Sequence, residues 1–570
     1  MAGVSPSPRH SDSPPVHQLS VSSLDFRKEV SMNCRFRNVV LSIAFTAFAA
    51  SPVHAQASDT ATPKLVLFIT IDQMRPDYFT RFESQLTGGL GRLYRGGAFF
   101  TNAFQDHAIT ETAPGHSETM SGRFPVHNGI QSNSAGVNDT TVTLINASGV
   151  GASPFRFRGT TLTDWLTAKD PRTKVLSVSR KDRGAILPIG RSKEPVFWYA
   201  FNGNFTTSTY YGSALPDWVT SFNARALPAS YAGQSWRLLL PESAYPEPDS
   251  VPIESGGARF QFPYLVPTAP DSAAAALPGF PWMDDVTLQF ALAGINALKL
   301  GAGPETDVLA ISLSTTDAIG HRFGPDSREM HDHILRLDRY LGAFLDSLFR
   351  LRKQKDIVIA LTADHGMTPY PEVHAHDPNA GAMRVDVQPV LKRLSESLAA
   401  KGVRSRGAEA AGTMGGNGFS FEDGVLELDH AALSRAKINE DSLLRALKAD
   451  FLRVPGVARA DRISELAKAD TVKDNVARRW LHMYADESRV AMVVSLAPYN
   501  YWVSTYTGAN HGSPNDPDAH VPIIFYGSRI KPGRYPEFAR VVDMAPTLAA
   551  LVHVTPQEKL DGHILRNAIK

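Results

Sequence analysis

The chain has 570 residues, of which 43% are hydrophobic and 20% charged, so its composition is that of an ordinary globular protein. Its formal net charge is only +1, which gives no reason to expect binding to nucleic acid or to an anionic membrane. The one cysteine, Cys34, lies in a segment that we expect to be removed, so the mature chain has no disulfide, thiolate nucleophile or cysteine metal ligand.

The N-terminal segment is predicted to be absent from the mature protein. Residues 1–31 are rich in Ser, Pro and His without an apolar period, which predicts disorder, and we interpret Met32 as the true start. Two arginines then precede an apolar run, Val39–Ala50, which is too short to span a bilayer as a helix. Small residues follow, so residues 32–57 are predicted to be the signal peptide of a periplasmic or secreted protein. The alternative is an N-terminal membrane anchor. No later stretch has the length and apolar character to cross a membrane, so we expect no stable membrane insertion after cleavage.

Alternating strand and helix patterns in residues 58–570 predict an α/β domain with a mostly parallel central sheet sandwiched by helices. Apolar runs predict buried parallel strands at Leu65–Ile71, Val308–Leu313 and Ile357–Leu361, and a further strand at Val521–Tyr526. Apolar spacing predicts helices at Asp284–Leu300, Ser327–Lys353 and Asp543–Val552.

The first predicted strand is followed directly by Asp72, in FITIDQMRPDY. Ligands of open α/β sheets bind beyond the carboxyl ends of the strands, so an acidic residue there is a candidate metal ligand. A lone Asp after a strand is as often a helix cap, and Asp72 alone leaves both interpretations open.

A hydroxyl nucleophile is suggested by Thr112, in ITETAPGHSETMSG. Pro114 fits a first helical turn and Gly122 a helix end, so a helix is predicted at Ala113–Ser121. Thr112 would then lie at the helix N-terminus, where backbone N–H groups and the helix dipole favour an anion. The alternative is that Thr112 only caps this helix. A coordinated divalent cation would make attack by its hydroxyl reasonable, because the cation lowers the pKa of a bound oxygen.

Two regions interrupt the alternation of strands and helices. Residues from about 197 to 282 are rich in Pro, Tyr, Ser and Trp, and residues from about 368 to 510 alternate short strands and helices. Both follow candidate site motifs, where loops usually build substrate specificity. We interpret them as inserted capping regions, called here the first and second inserted regions.

Two further predicted strand ends carry Asp together with His. Asp317 and His321, in STTDAIGHRFGP, are four residues apart, so one helical turn would aim both at one ion. Asp364 and His365, in TADHG, are adjacent and suit a loop at a strand end. His511, in NHG, supplies another histidine. Zinc and similar divalent ions accept Asp and neutral His as ligands, so these fragments, each weak alone, jointly predict a metal-bound phosphate site.

The motifs resemble those of the alkaline phosphatase superfamily, and within it the bacterial phosphate-irrepressible alkaline phosphatases that use a threonine nucleophile. The resemblance extends from about Lys64 to the C-terminus, and its motifs are TIDQMRPDY, TETAPGH, SRKDRGAILP, STTDAIGHRFGP, TADHG and HGSPNDPDAHVPIIFYG. It implies an alkaline phosphatase-like fold and zinc-dependent hydrolysis of small-molecule phosphate monoesters.

The resemblance also implies a role for each site residue. It assigns two Zn²⁺ per chain, the first held by Asp72, Thr112, Asp364 and His365 and the second by Asp317, His321 and His511. It assigns phosphate binding to Asn133, Lys181 and Arg183. Thr112 would form a covalent phosphothreonine intermediate. His520 is the alternative to His511, although His511 followed by Gly fits the motif better.

Three alternatives to a phosphomonoesterase were weighed. The nearest is a type I phosphodiesterase or nucleotide pyrophosphatase of the same superfamily, which would place an apolar pocket where this chain has Lys181 and Arg183. A sulfatase is disfavoured because no cysteine remains to mature into an aldehyde nucleophile. A non-catalytic phosphate-binding or metal-binding protein is disfavoured because every ligand occurs together with the nucleophile. We expect a monomer with no nucleic acid partner.

Overall fold

The computed structural model describes residues 62–257, 259–374, 381–404, 414–485, 490–503 and 508–570. The predicted N-terminal extension (1–31) and signal peptide (32–57) lie outside these residues and stay predictions. Among the described helices, none combines the length and apolar character that a bilayer crossing requires.

The described residues contain 18 strands. They are β1 (Leu65–Ile71), β2 (Ala98–Phe104), β3 (Val175–Ser179), β4 (Val196–Tyr199), β5 (Phe205–Thr206), β6 (Ser235–Trp236), β7 (Tyr264–Leu265), β8 (Asp307–Leu313), β9 (Ile357–Thr362), β10 (Arg384–Val385), β11 (Met414–Gly416), β12 (Phe419–Glu422), β13 (Val425–Leu428), β14 (Val457–Arg462), β15 (Val490–Leu496), β16 (Tyr501–Trp502), β17 (Ile523–Gly527) and β18 (Gly533–Arg540).

Nine of these strands form the central sheet, in the order β18-β2-β17-β9-β1-β8-β3-β4-β5. Parallel pairing joins β1 to β8 and β9, β3 to β8 and β4, and β18 to β2. Antiparallel pairing joins β17 to β2 and β9, and β5 to β4. The sheet is therefore mostly parallel, as predicted. Every residue of β1, β8 and β9 is buried, so both faces of the sheet are covered at its centre.

The described residues also contain 19 α-helices. They are α1 (Tyr78–Arg81), α2 (Gly89–Gly96), α3 (Thr112–Thr119), α4 (Pro125–Asn128), α5 (Leu162–Lys169), α6 (Asp182–Ile186), α7 (Asp217–Asn223), α8 (Pro270–Ala276), α9 (Trp282–Leu298), α10 (Thr315–Phe323), α11 (Arg328–Leu351), α12 (Pro371–His374), α13 (Gln388–Ala400), α14 (His430–Arg435), α15 (Glu440–Phe451), α16 (Ile463–Leu466), α17 (Asn475–Leu481), α18 (Asp516–Ala519) and α19 (Met544–Leu551).

The long helices lie where apolar spacing predicts them, with small differences at their ends. Helix α11 begins after Ser327, whose side chain accepts a hydrogen bond from the Met330 N–H (3.1 Å) and so satisfies one unpaired donor of the first turn. Helix α9 ends before Lys299, which adopts a left-handed conformation (φ 55°), so the helix stops earlier than the predicted end at Leu300. Helix α9 packs against β3, β8 and α11, and α11 packs against α2.

The first residues of the predicted first inserted region lie in the central sheet. Phe197 lies in β4 and Phe205 begins β5, and both side chains are buried, so the segment outside the sheet starts after Thr206. The bounds of this region stay a prediction. Further along, this region packs against α11, where Trp236 donates a 2.7 Å hydrogen bond to Asp332.

The second inserted region has a sheet and core of its own. Five strands in the order β11-β12-β13-β15-β14 pair antiparallel throughout. Helices α13 and α15 contribute Leu394 and Leu447 to a cluster that also contains Phe421. That the two inserted regions cap the site and set specificity stays a prediction.

Candidate active site

Three strand ends bring acidic side chains to one edge of the sheet. Asp72 follows β1 directly, Asp317 lies in α10 just after β8, and Asp364 follows β9. Because β1 pairs in parallel with both β8 and β9, their carboxyl ends lie side by side. All three carboxylates are buried, as a ligand site at the carboxyl edge of an open sheet requires.

The first ligand group consists of Asp72, Asp364 and His365, which each offer one ligand atom within 4.8 Å of the others. Both oxygens of Asp72, Oδ2 of Asp364 and Nε2 of His365 are buried and have no hydrogen-bond partner among the described residues. Lys181 Nζ lies 2.7 Å from Asp72 Oδ2 and forms an ion pair with it that is not aligned as a hydrogen bond. Buried polar atoms without partners are costly, so the group suits a bound cation.

The second ligand group consists of Asp317, His321 and His511. Asp317 Oδ1 lies 3.2 Å from His321 Nε2 and 3.6 Å from His511 Nε2, and the two Nε2 atoms are 3.2 Å apart. Asp317 also lies within ligand distance of His365, together with His511. His365 therefore borders both groups, and the two groups form one continuous site.

The three histidines are oriented in the same way. In each ring Nδ1 bonds a backbone carbonyl, which fixes the proton on Nδ1 and leaves Nε2 facing the carboxylates. The pairs are His321 with Ala509 O (2.8 Å), His365 with Gly366 O (2.9 Å) and His511 with Thr110 O (2.7 Å). Metal-binding histidines usually donate their other ring N–H in this manner, so the donors fit zinc.

Burial and like charges act differently on the three carboxyl groups. Burial, together with the charges of Asp317 and Asp364, raises the pKa of Asp72 despite the nearby Lys181. Burial also opposes ionisation of Asp317, but Lys181 and the two histidines of its group hold its pKa well below the usual range. At Asp364, burial is likewise outweighed, chiefly by His116, and the pKa is lowered. The site therefore keeps the carboxylates of Asp317 and Asp364 ionised, whereas the ion pair with Lys181 does not offset the burial and the like charges at Asp72.

The histidines at the junction also differ. Burial and the neighbouring His511 lower the pKa of His365 well below its ordinary value, so this ring is neutral and its Nε2 lone pair is available. Burial works against charge on His511 too, but Asp317 outweighs it and raises the pKa of His511 to about 9. The rings of His365 and His511 stack with centroids 3.6 Å apart.

Helix α3 places the Thr112 hydroxyl beside the ligand groups. Thr112 is the first residue of the helix and Glu111 the cap, so the helix starts one residue earlier than predicted. The Ala113 N–H is satisfied by the side chain of Asn133, whose Oδ1 accepts it at 2.9 Å. Thr112 is therefore not needed as a cap, and its Oγ1 instead lies 3.1 Å from Lys181 Nζ.

Lys181 stands between the two ligand groups. At the end of β3, its Nζ contacts Asp72 Oδ2 and Asp317 Oδ2, both at 2.7 Å, as well as the Thr112 hydroxyl. Arg183 follows in α6, with its Nη1 3.6 Å from Asp182 and its buried Nε without a hydrogen-bond partner among the described residues. The structure thus brings Lys181 to the predicted nucleophile, whereas the charged partner of Arg183 is its neighbour Asp182.

A glycine and a histidine of the TETAPGH motif hold α3 against the TADHG loop. A Cβ at Gly115 would lie 2.0 Å from the Asp364 carbonyl oxygen, so only glycine permits this close approach. His116 Nδ1 bonds the Thr112 carbonyl at 2.9 Å and lies 3.0 Å from Asp364 Oδ2, while its Nε2 contacts Ser312 Oγ at 2.8 Å. The nucleophile loop and the first ligand group are thereby joined.

Several residues that shape the site are not predicted by the sequence. Glu111 and His116 lie in the TETAPGH motif, but the sequence alone does not assign a role to either. In the structure, the Glu111 carboxylate accepts a hydrogen bond from the Asn133 N–H at 2.6 Å. Gln73, beside Asp72, contacts carboxylates of both groups. The feature of the sequence that could have identified these residues is that each lies within four positions of a predicted ligand or of the predicted nucleophile. His520, the alternative to His511, instead bonds Thr101 O at 3.1 Å and belongs to neither group.

Comparisons with known proteins bear on the family of this chain. The family model for type I phosphodiesterase / nucleotide pyrophosphatase matches residues 66–441. Alkaline phosphatase PhoV of Synechococcus elongatus is 33% identical over 530 residues, which cover 90% of this chain and 94% of PhoV. Alkaline phosphatase PafA of Elizabethkingia meningoseptica is 30% identical over 523 residues, which cover 86% of this chain and 92% of PafA.

A solved structure extends the likeness to the fold. The crystal structure of wild-type alkaline phosphatase PafA superposes with a TM-score of 0.79 at 28% identity, covering 89% of this chain and 99% of PafA. The alkaline phosphatase-like fold predicted from the sequence is therefore confirmed. The chain belongs to the type I phosphodiesterase/nucleotide pyrophosphatase family, within its alkaline phosphatase branch, and is a phosphoric monoester hydrolase.

Proposed function

We propose that the protein hydrolyses phosphate monoesters with two zinc ions and through a covalent phosphothreonine at Thr112. The observation that carries this proposal is the convergence of three histidine Nε2 atoms and unpaired carboxylate oxygens on one buried site beside the Thr112 hydroxyl. The first ligand group and Thr112 would hold one ion, and the second ligand group the other. When bound, such ions supply positive charge that favours an ionised hydroxyl and a departing ester oxygen.

The reaction itself is a double displacement at phosphorus. Thr112 Oγ1 gives its proton to solvent and forms a bond to phosphorus while the bond to the ester oxygen breaks, and the departing alkoxide takes a proton from water to become the alcohol. A water molecule then attacks the phosphothreonine, which restores the hydroxyl and releases inorganic phosphate. Two inversions give net retention of configuration. Lys181, 3.1 Å from Oγ1, places positive charge beside the attacking oxygen.

Substrate choice would come from the residues that face the phosphoryl oxygens. A monoester carries more charge on its non-bridging oxygens than a diester does, and Lys and Arg meet that charge best. Asn133 lies at the N-terminus of α3 with its Oδ1 already used by Ala113, so its Nδ2 donor would serve the phosphate. Arg183 would reach the phosphate with the guanidinium whose Nε has no hydrogen-bond partner among the described residues.

Rates on paired substrates test the proposal. An aryl phosphate monoester should be hydrolysed with a higher kcat/KM than the matching diester, chelation should abolish both activities, and added zinc should restore them. Replacing Lys181 and Arg183 together by Ala should depress the monoesterase rate by a few orders of magnitude, since each charged contact contributes roughly 3 kcal/mol, and the diesterase rate much less. A wild-type preference for the diester would assign the chain to the phosphodiesterase side of its family.

The intermediate has its own test. Acid quenching during turnover of a labelled monoester should leave the label on a peptide that contains Thr112, located by mass spectrometry. Thr112→Ala protein should show no labelled peptide. Label on another residue, or none while turnover continues, would favour direct attack by water.

Export and assembly are further parts of the proposal. We infer cleavage after Ala55 or Ala57, which mass spectrometry of the protein from an exporting host would detect as a start at Gln56 or Ser58. Full-length active protein in the cytosol would contradict export. We also infer a monomer, which sedimentation analysis would check.

A further inference from the structure

Gln73 occupies an unusual backbone position between the two ligand groups. It follows Asp72 at the end of β1, is fully buried, and adopts a left-handed conformation with φ 68°. Residues other than glycine adopt this conformation at a cost, and such strain is concentrated at functional sites. The turn sends the backbone N–H and the side chain of one residue toward two different strand ends.

The two donors of Gln73 reach one carboxylate in each ligand group. Its backbone N–H donates to Asp364 Oδ1 at 3.0 Å, and its Nε2 donates to Asp317 Oδ1 at 3.1 Å. The ligand oxygens bonded in this way belong to Asp364, which follows β9, and to Asp317, which follows β8, and these two strands lie on opposite sides of β1. A single residue thus spans the distance between the groups. The amide is neutral, so it orients both carboxylates without competing for a cation.

The surroundings admit this side chain and little else. A Cβ at position 320 would lie 1.7 Å from Gln73 Oε1, so the glycine of the TTDAIGH motif makes room for the amide. Gln73 Oε1 is buried without a hydrogen-bond partner among the described residues. A buried acceptor left without a hydrogen bond is destabilising, which a role in packing alone does not explain.

We propose that Gln73 is a positioning residue that sets the two ligand groups relative to each other. Its side chain holds Asp317, and its main chain holds Asp364, so the two metal positions are fixed by one turn of the backbone. The inference rests on the proposed function, because it assumes that both groups bind an ion. Partners of this kind typically change metal affinity by 10- to 100-fold when they are removed.

The side chain and the main chain can be separated by substitution. Gln73→Met keeps the length of the side chain and the backbone N–H to Asp364 but removes the donor to Asp317. Affinity for zinc should therefore fall about 10-fold or more at one of the two sites, with the other unchanged. Competition with a chelator, followed as two separate release steps, measures this without reference to turnover. The variant should also lower kcat more than it raises KM, since the ion is misplaced rather than the substrate.

A matched control is available in Gln105. This second buried glutamine donates through Nε2 to the carbonyl of Ala363, at 2.8 Å, and not to a ligand carboxylate. Gln105→Met should change the stability of the protein without weakening zinc binding at one site relative to the other. If Gln73→Met fails to fold, Gln73→Asn replaces it, because Asn tolerates the left-handed conformation better and is too short to reach Asp317.

The outcomes separate this inference from the proposed function. Wild-type protein that binds two zinc ions, with variants at Gln73 that release both as wild type does, would overturn the positioning role alone. Equal weakening of both sites would also overturn it, because only the bond to Asp317 is removed. Wild-type protein that binds fewer than two ions would overturn the proposed function and the positioning role together. Selective weakening of one site, absent from Gln105→Met, is the expected result.

Discussion

The two ligand groups lie side by side, yet the protein satisfies them differently. In the first, both oxygens of Asp72 and Nε2 of His365 have no hydrogen-bond partner among the described residues. In the second, Asp317 accepts hydrogen bonds from Gln73 and Lys181 and lies 3.2 Å from His321. The first group therefore leaves more buried ligand atoms without a hydrogen bond, whereas Asp317 of the second group accepts hydrogen bonds from the protein. The two groups of the proposed metal site are thus not equivalent.

The largest effect should come from Thr112, which lies beside the ligand groups. Thr112→Ala should lower kcat by roughly 10³-fold or more, because it removes the hydroxyl that contacts Lys181 Nζ, while metal content and fold are retained. Thr112→Ser should keep partial activity. Steady-state rates and elemental analysis of the same preparations make the comparison. Near-normal turnover of the Ala variant would make Thr112 a spectator and favour attack by water.

Loss of a shared ligand should exceed loss of an unshared one. His365 borders both groups, so His365→Ala should reduce the bound metal at both sites and lower kcat by two orders of magnitude or more. His321→Ala should reduce metal only at the second site. The metal-to-protein ratios of the two variants, measured after the same dialysis, test this difference. Equal metal loss in the two variants would remove the distinction between shared and unshared ligands.

Neutral replacements of Asp72 and Asp317 should change the stability of the metal-free protein in opposite directions. Asp72→Asn should raise it, because burial and the charges of Asp317 and Asp364 outweigh the ion pair of Asp72 with Lys181. Asp317→Asn should destabilise it by about 3 kcal/mol or more, because Lys181 loses a buried partner at 2.7 Å. Thermal unfolding after chelation gives both values. Destabilisation of similar size in both variants would mean that the two groups are held alike.

The smallest effect should come from buried carboxyl groups outside the site. Burial and the nearby Glu329 raise the pKa of Glu254 from its ordinary value of 4.5 to about 9. Because the pKa of Glu254 is higher in the folded protein, its contribution to the free energy of unfolding is fully present below pH 4.5 and is lost as the pH rises toward 9. Glu254→Gln should therefore raise Tm at pH 9 relative to wild type, and by less at pH 6. An equal change in Tm at pH 6 and pH 9 would contradict the raised pKa of Glu254.

The sequence predicts the sheet and most of the ligands because both follow strong local patterns. Strand β1 is found at Leu65–Ile71 as predicted, since a strand in which every residue except Thr70 is apolar suits burial on both faces. Asp72, Asp317 and Asp364 lie at one sheet edge because parallel neighbours end together. The predicted role of each ligand stays a proposal.

What the sequence does not predict depends on contacts between distant segments. Gln73 bonds Asp364 across 291 positions, and nothing in the local pattern distinguishes it from a surface amide. The cap of α3 is similar, because Asn133, 20 residues from Ala113, supplies the acceptor that the alternative interpretation assigned to Thr112.

A crystal structure of the zinc-loaded protein, with anomalous differences measured at the zinc edge, tests the central claim most directly. We expect two peaks, one in each ligand group, with Thr112 Oγ1 beside the first. The first group is Asp72, Asp364 and His365, and the second is Asp317, His321 and His511. A single peak, or a second peak away from the Asp317 group, would contradict it.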